Sequence, residues 1–181
     1  MKLTETKLAD CFLIEHDVFK DERGLFLESY NKAAFEKLTG LKINFIQDNI
    51  SISKRGVLRG LHYQSPPYEQ AKLITVLKGE VIDVVVDIRK NSDTFGTHLK
   101  FRMHADERKS LFIPKGMAHG FLALSDEVLF HYKCDAYYNP ASESGILYND
   151  AELQIDWEFL DEAIILSDKD KELPNFNIAP K

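Results

Sequence analysis

Two stretches of the 181-residue chain combine glycine with histidine in a way that can aim an imidazole. The first is Gly56-Val57-Leu58-Arg59-Gly60-Leu61-His62-Tyr63-Gln64 and the second is Ile113-Pro114-Lys115-Gly116-Met117-Ala118-His119-Gly120-Phe121. An unperturbed imidazole titrates at about pH 6.5, so either histidine is fit to move a proton near neutrality or, when neutral, to bind a metal. Metal binding asks for further ligands at short spacing. The other histidines, His16, His98, His104 and His131, supply none, and a histidine hydrogen-bonded in a turn accounts for His119 taken alone. The first stretch lies in a window from Asn49 to Tyr68 that has no acidic residue but holds Lys54, Arg55 and Arg59. That local positive charge suits an anionic small molecule and, equally, a solvated loop. It lacks the breadth of a face that binds duplex nucleic acid.

These side chains need a frame, and most of the sequence reads as strand. Ile82, Val84, Val86 and Ile88 recur at period two with Asp83 and Asp87 opposite, which predicts a half-buried strand over Val81 to Arg89. Leu73 to Leu77 is apolar and β-branched, and Lys78-Gly79-Glu80 predicts the turn of a hairpin between the two. Further strands are expected at Leu25 to Tyr30, Phe45 to Ser53, Gly96 to Met103, Leu111 to Ile113, Gly120 to Leu124 and Val128 to Cys134. A helix is expected over Asn31 to Leu38, with Asn31 as N-cap and Ala33, Ala34, Phe35 and Leu38 as its apolar positions. Many short strands with few helices predict an all-β sandwich or barrel in one domain over residues 1–181, and a parallel α/β sheet would need crossover helices that are missing. Regular alternation sets Arg59 and His62 on opposite faces, unless Gly60 hosts a bulge that re-aims one of them.

Composition narrows the class. Hydrophobic residues at 44% with 29% charged are globular values and exclude a disordered chain. Apolar runs do not exceed four residues, so no transmembrane helix is expected. The opening Met-Lys-Leu-Thr-Glu-Thr-Lys lacks the apolar core of a secretory signal, and Cys11 and Cys134 make no disulfide framework. The expectation is a cytoplasmic protein with free thiols. Its net charge of −6 has a location: residues 1–148 balance, whereas Asn149 to Glu172 holds nine acids against two lysines. The acidity is one segment.

The Pro-x-Gly-x-x-His spacing from Pro114 to His119 is similar to one of the two short motifs of cupin jelly rolls. In metal-binding cupins the other motif carries His-x-His followed by Glu. Here it reads His62-Tyr63-Gln64, so the second ligand is gone and no metal is expected. The run GVLRGLHYQSPPYEQAKL from Gly56 to Leu73 resembles, almost residue for residue, the dTDP-4-dehydrorhamnose 3,5-epimerase family of metal-free cupins. The likeness extends over nearly the whole chain. It includes Asp21-Glu22-Arg23-Gly24, Gln47-Asp48-Asn49, Val81-x-Asp83-Val84-x-Val86-Asp87-x-Arg89, Ser92-x-Thr94-Phe95-Gly96, Pro140-x-x-Glu143-x-Gly145-Ile146 and Leu166-Ser167-x-Lys169-Asp170.

The resemblance implies a cupin-type double-stranded β-helix with few short helices. It also implies an isomerase that epimerises carbons 3 and 5 of a thymidine-diphosphate 4-keto-6-deoxyhexose, in dTDP-L-rhamnose biosynthesis, without a cofactor. The ketone at carbon 4 acidifies the neighbouring C–H bonds, so the reaction needs a base on one face, an acid on the other and a cation or donor at the nascent enolate. By resemblance His62 is the base, Asp170 orients it, Tyr132 is the acid and Lys72 is the cation. The implied binding positions are Arg23, Phe26, Glu28, Gln47, Asp48, Asn49, Arg59, Lys72, His119, Glu143 and Lys169, with Tyr138 against the thymine. Family members are dimers whose N-terminal segment crosses to the partner, so Arg23 and Glu28 are expected to serve the neighbour's site. Neither nucleic acid nor membrane is an expected partner.

Each role has an ordinary rival. A tyrosine in the strand Val128 to Cys134 is commonly core, and Asp170 lies in a polar run in which Asp168 is its equal; the Ser-x-Lys-Asp match alone favours Asp170. Of the acidic segment, only Lys169 and Asp170 are expected to turn inward. The runner-up activity is epimerisation at carbon 3 or carbon 5 alone, followed by a metal-dependent cupin and a non-catalytic sugar-nucleotide binding module.

Overall fold

The computed structural model describes residues 1–177. Among them the chain forms thirteen strands: β1 Lys2–Glu5, β2 Phe12–Glu15, β3 Phe19–Asp21, β4 Gly24–Phe26, β5 Gln47–Ser53, β6 Leu58–Gln64, β7 Lys72–Lys78, β8 Glu80–Asp87, β9 His98–His104, β10 Lys109–Ile113, β11 Met117–Ala123, β12 Val128–Cys134 and β13 Glu143–Gly145. Two short helices accompany them, α1 Lys32–Thr39 and α2 Asp168–Lys171. The strands pair antiparallel in a six-stranded sheet, ordered β1-β2-β10-β7-β12-β5, and a five-stranded sheet, ordered β13-β6-β11-β8-β9. Strands β3 and β4 form a separate hairpin arm. The two main sheets face each other as a cupin-type jelly roll, the expected fold class.

Helix α1 forms where its signals sit. Asn31 is extended and its side chain accepts from the Ala34 amide at 3.1 Å, while Gly40 adopts a left-handed φ of 73° and closes the last turn onto Glu36. Phe35 anchors the helix against Phe12, Leu73 and Phe112, on the outer face of the six-stranded sheet. Between the sheets Ile74, Leu111 and Phe130 meet Val81, Val85 and Phe121. Each such side chain withdrawn from water contributes about 1.5–3 kcal/mol.

Three expectations change. Strand β8 is buried on both faces rather than one. Val81 and Val85 turn inward, and Ile82, Val84 and Val86 lie under Leu153, Ile155, Trp157 and Phe176 from the C-terminal segment. A distant segment supplies that cover, so period-two alternation alone does not reveal it. Second, β7 and β8 form no hairpin, because Gly79 (φ 80°) carries the chain from one sheet to the other. A between-sheet corner and a hairpin share the same local turn chemistry. Third, of the strand expected from Leu25 to Tyr30 only β4 forms, and it leaves Phe26 64% exposed.

Candidate active site

A cavity of about 570 Å³ opens between the sheets. The five-stranded sheet contributes Arg59, His62, His119 and Glu143; the six-stranded sheet contributes Lys72 and Tyr132; α2 closes the rim with Lys169 and Asp170. Phe121 and Phe130, stacked at a centroid distance of 4.0 Å, give it an apolar side.

A bulge in β6 brings Arg59 and His62 to the same side. Against β11, His62 pairs with His119 and Arg59 with Phe121, so Gly60 and Leu61 together oppose Gly120 alone. Leu58 and Leu61 consequently pack in the outer layer while Arg59 and His62 line the cavity. Only glycine fits at the bulge. Gly60 has φ 140°, and a Cβ there would stand 2.5 Å from the Gly120 Cα.

The Nε2 atom of His62 lies 2.6 Å from Oδ1 of Asp170, leaving Nδ1 as the ring nitrogen available to the cavity. Ser167 caps α2 by accepting from the Asp170 amide at 3.1 Å, which fixes the aspartate at the helix start. Burial pushes the Asp170 carboxyl up, but the bond and charge of His62, with Ser167 and Lys169, outweigh it and hold the group below its usual range. Asp168, its rival in the sequence, points to solvent and pairs with Lys171. Burial pushes the Lys72 ammonium down, against the nearby Cys134, Asp83 and Glu143. Burial also pushes the Tyr132 phenol up, favouring its protonated form.

The remaining expected residues divide. Tyr138 is half exposed at the cavity mouth; its hydroxyl donates to Glu143 at 2.5 Å and its amide donates to Gln47 Oε1 at 2.9 Å. Lys169 pairs with the same Glu143 oxygen. Gln47 in turn donates to Asn49. Asp48 alternates to the outer face of β5, where it binds His131 at 2.9 Å and Lys133 at 2.6 Å. Arg23 sits on the β3–β4 arm paired with Asp21, Phe26 is exposed on the same arm, and Glu28 accepts from Asn31 at 3.3 Å. None of these four lines the cavity of its own chain.

Three contributors carried no site role in the sequence reading. Asp83, fully buried, places Oδ2 2.9 Å from His119 Nε2, and burial pushes its carboxyl up against the pull of His119 and Lys72. Its signal was a lone carboxylate in a valine-isoleucine run. Ser53 accepts from Arg59 Nε at 3.1 Å, and Ser167 caps α2. Among described carboxylates of the acidic segment only Asp170 reaches the cavity, joined by Ile165, Leu166 and Ser167. Asp150 corrects the expectation that just Lys169 and Asp170 turn inward: it is buried away from the cavity, accepting from the amides of Glu152, Leu153 and Phe176.

An oriented imidazole, a half-buried phenol on the facing wall and a half-buried ammonium between charged groups form a constellation for proton transfer next to a carbonyl. The family model described as dTDP-4-dehydrorhamnose 3,5-epimerase matches residues 5–177. A dTDP-4-dehydrorhamnose 3,5-epimerase from Methanothermobacter thermautotrophicus is 48% identical over 172 residues, covering 94% of this chain and 91% of that protein. The crystal structure of the Elizabethkingia anophelis dTDP-4-dehydrorhamnose 3,5-epimerase superposes with a TM-score of 0.93 at 50% identity, over 98% of this chain and 97% of the other. The Legionella pneumophila dTDP-6-deoxy-D-glucose-3,5-epimerase, solved with dTDP-4-keto-L-rhamnose, superposes with a TM-score of 0.93 at 45% identity, over 98% and 93%. With its fold and nearly its full length matched, the chain belongs to the dTDP-4-dehydrorhamnose 3,5-epimerase family.

Proposed function

We propose that this chain, acting as one catalytic domain, epimerises carbons 3 and 5 of dTDP-4-dehydro-6-deoxy-D-glucose to give dTDP-4-dehydro-L-rhamnose in dTDP-L-rhamnose biosynthesis. The observation that carries the reading is the His62–Asp170 pair facing Tyr132 across a cavity that also holds Lys72. His62 Nδ1 takes the proton from carbon 3 or carbon 5, and the C–H electrons move into the ketone to leave an enolate oxygen. Lys72 stabilises that oxygen, while Asp170 holds the ring orientation and stabilises the imidazolium. The Tyr132 hydroxyl returns a proton from the opposite wall, inverting the carbon, and solvent restores both groups. Arg59, His119 and Lys169 supply charge-assisted donors for the diphosphate, and the Tyr138 ring is a platform for the thymine.

The test is incubation of the enzyme with dTDP-4-keto-6-deoxyglucose in deuterated water. Label at carbons 3 and 5 supports the reading, label at one carbon alone assigns a mono-epimerase, and no label at either refutes an epimerase.

The working unit in this reading is a homodimer in the cytoplasm. Phe19 and Phe26 on the arm and Ile50 and Ile52 on the outer face of the edge strand β5 are each more than 60% exposed, an apolar surface that a second copy can cover. The arm then presents Arg23, Phe26 and Glu28 to the partner's cavity. Among the described residues no helix is long and apolar enough to cross a membrane.

A further inference from the structure

Gln64 ends β6 two positions beyond His62, where metal-binding cupins carry a second histidine. Its side chain is 6% exposed and committed to backbone. Nε2 donates to the carbonyls of Tyr68 at 2.6 Å and Tyr137 at 3.2 Å, and Oε1 accepts from the Asn139 amide at 2.7 Å. The two residues it grips in the 135–139 loop flank Tyr138. Gln47 takes the amide of Tyr138 itself, and Gln70 donates to the Ala136 carbonyl at 2.8 Å. A primary amide can donate twice from one end and accept at the other. A glutamate here would aim an oxygen at two carbonyl oxygens, and a shorter amide would fall out of reach.

We infer that Gln64 is a positioning residue for the nucleotide: by clamping Tyr137 and Asn139 it fixes the ring of Tyr138 as a preformed platform for the base at the cavity mouth. The inference rests on the platform role of Tyr138 proposed above. A half-exposed tyrosine on an unbraced loop would have to be ordered on binding, and the clamp removes that cost beforehand. Gln64 donates nothing to the reacting carbons. It therefore acts on substrate and transition state alike, which moves KM and not kcat.

The experiment compares wild type with Gln64→Glu, Gln64→Asn and Tyr138→Ala by calorimetry, using thymidine diphosphate and inorganic pyrophosphate as probes, and by steady-state kinetics on dTDP-4-keto-6-deoxyglucose. In both Gln64 variants thymidine diphosphate should bind roughly tenfold more weakly, the loss expected when buried hydrogen bonds are broken, with KM rising in step. Pyrophosphate affinity and kcat should stay within about twofold, a split that general loosening of the cavity would not produce. Gln64→Asn keeps the amide and reports if the glutamate variant does not fold. Equal weakening of both probes overturns the clamp, as does unchanged thymidine diphosphate binding in the Gln64 variants while Tyr138→Ala weakens it. If Tyr138→Ala itself leaves thymidine diphosphate binding unchanged, the platform reading fails and the clamp fails with it.

Discussion

In the proposed mechanism Asp170 decides which nitrogen of His62 acts, because it occupies Nε2 and leaves Nδ1 available. Asp170→Asn keeps the shape but removes the charge that holds the tautomer and the imidazolium. Turnover should fall by roughly 10²–10⁴-fold, the range of a lost acid–base contribution, with thymidine diphosphate affinity within about threefold of wild type. Calorimetry beside steady-state kinetics checks the split. In the same proposal Tyr132 separates the two halves of the reaction. Burial pushes its phenol up from an ordinary value already above neutrality, and Tyr132→Phe deletes the acid without disturbing the wall. Deuterium from solvent should still enter carbon 3 or carbon 5 through His62, while net inversion drops at least about a hundredfold. Loss of exchange and inversion together would mean that Tyr132 is needed before the enolate forms. Nuclear magnetic resonance of the recovered sugar reads both quantities at once.

At the scale of elements, the bulge in β6 is what turns a strand into a site. Gly60→Ala would place a methyl against the Gly120 backbone at a φ that side chains rarely adopt. It should cost at least about 2 kcal/mol in denaturant unfolding and reduce kcat, since a straightened β6 turns His62 away from Asp170. The loop after β8 is held by Asp87, whose carboxylate accepts from Arg89, Ser92 and Thr94. Burial pushes this carboxyl up, but those donors win and hold it at about 2, against an ordinary 3.8. A depressed carboxyl stabilises the fold above its unfolded value, and the contribution is lost as pH falls from about 4 towards 2. The amount is about 2 kcal/mol. Asp87→Asn should lower stability by about that much at neutral pH and flatten the acid limb of its pH dependence. Elements whose signals are local were legible: the Asn31 cap set α1, and β12 runs from Val128 to Cys134 as expected. The bulge too was legible, because Arg59 and His62 could share a face only if Gly60 broke the alternation. Sheet membership of β7 and β8 was not, since a glycine corner specifies a reversal and says nothing about the partner strand. Asp83 escaped because its partner lies 36 residues away, on another strand.

At the scale of the molecule, the division among the expected binding residues is itself informative. Arg59, His119, Glu143 and Lys169 converge on one cavity, whereas Arg23 and Phe26 project on an exposed arm and Glu28 follows it, none of the three lining that cavity. In the proposed dimer the geometry that the second group needs belongs to two copies, which no reading of a single chain can place. If the arm serves the partner, Arg23→Ala and His62→Ala damage different halves of a composite site. Each homodimer is then impaired, the first in KM and the second in kcat. In a mixed dimer, one cavity combines the intact His62 of one protomer with the intact Arg23 of the other. Unfolding the two variants together and refolding them at equal concentration should therefore restore wild-type kinetics at roughly a quarter of all sites, since half of the dimers are mixed and each holds one complete cavity. Refolding either variant alone controls for recovery, and sedimentation velocity confirms the dimer. Were each arm to serve its own chain, no cavity in a mixed dimer would be complete, and the mixture would show only the average of its two impaired parents.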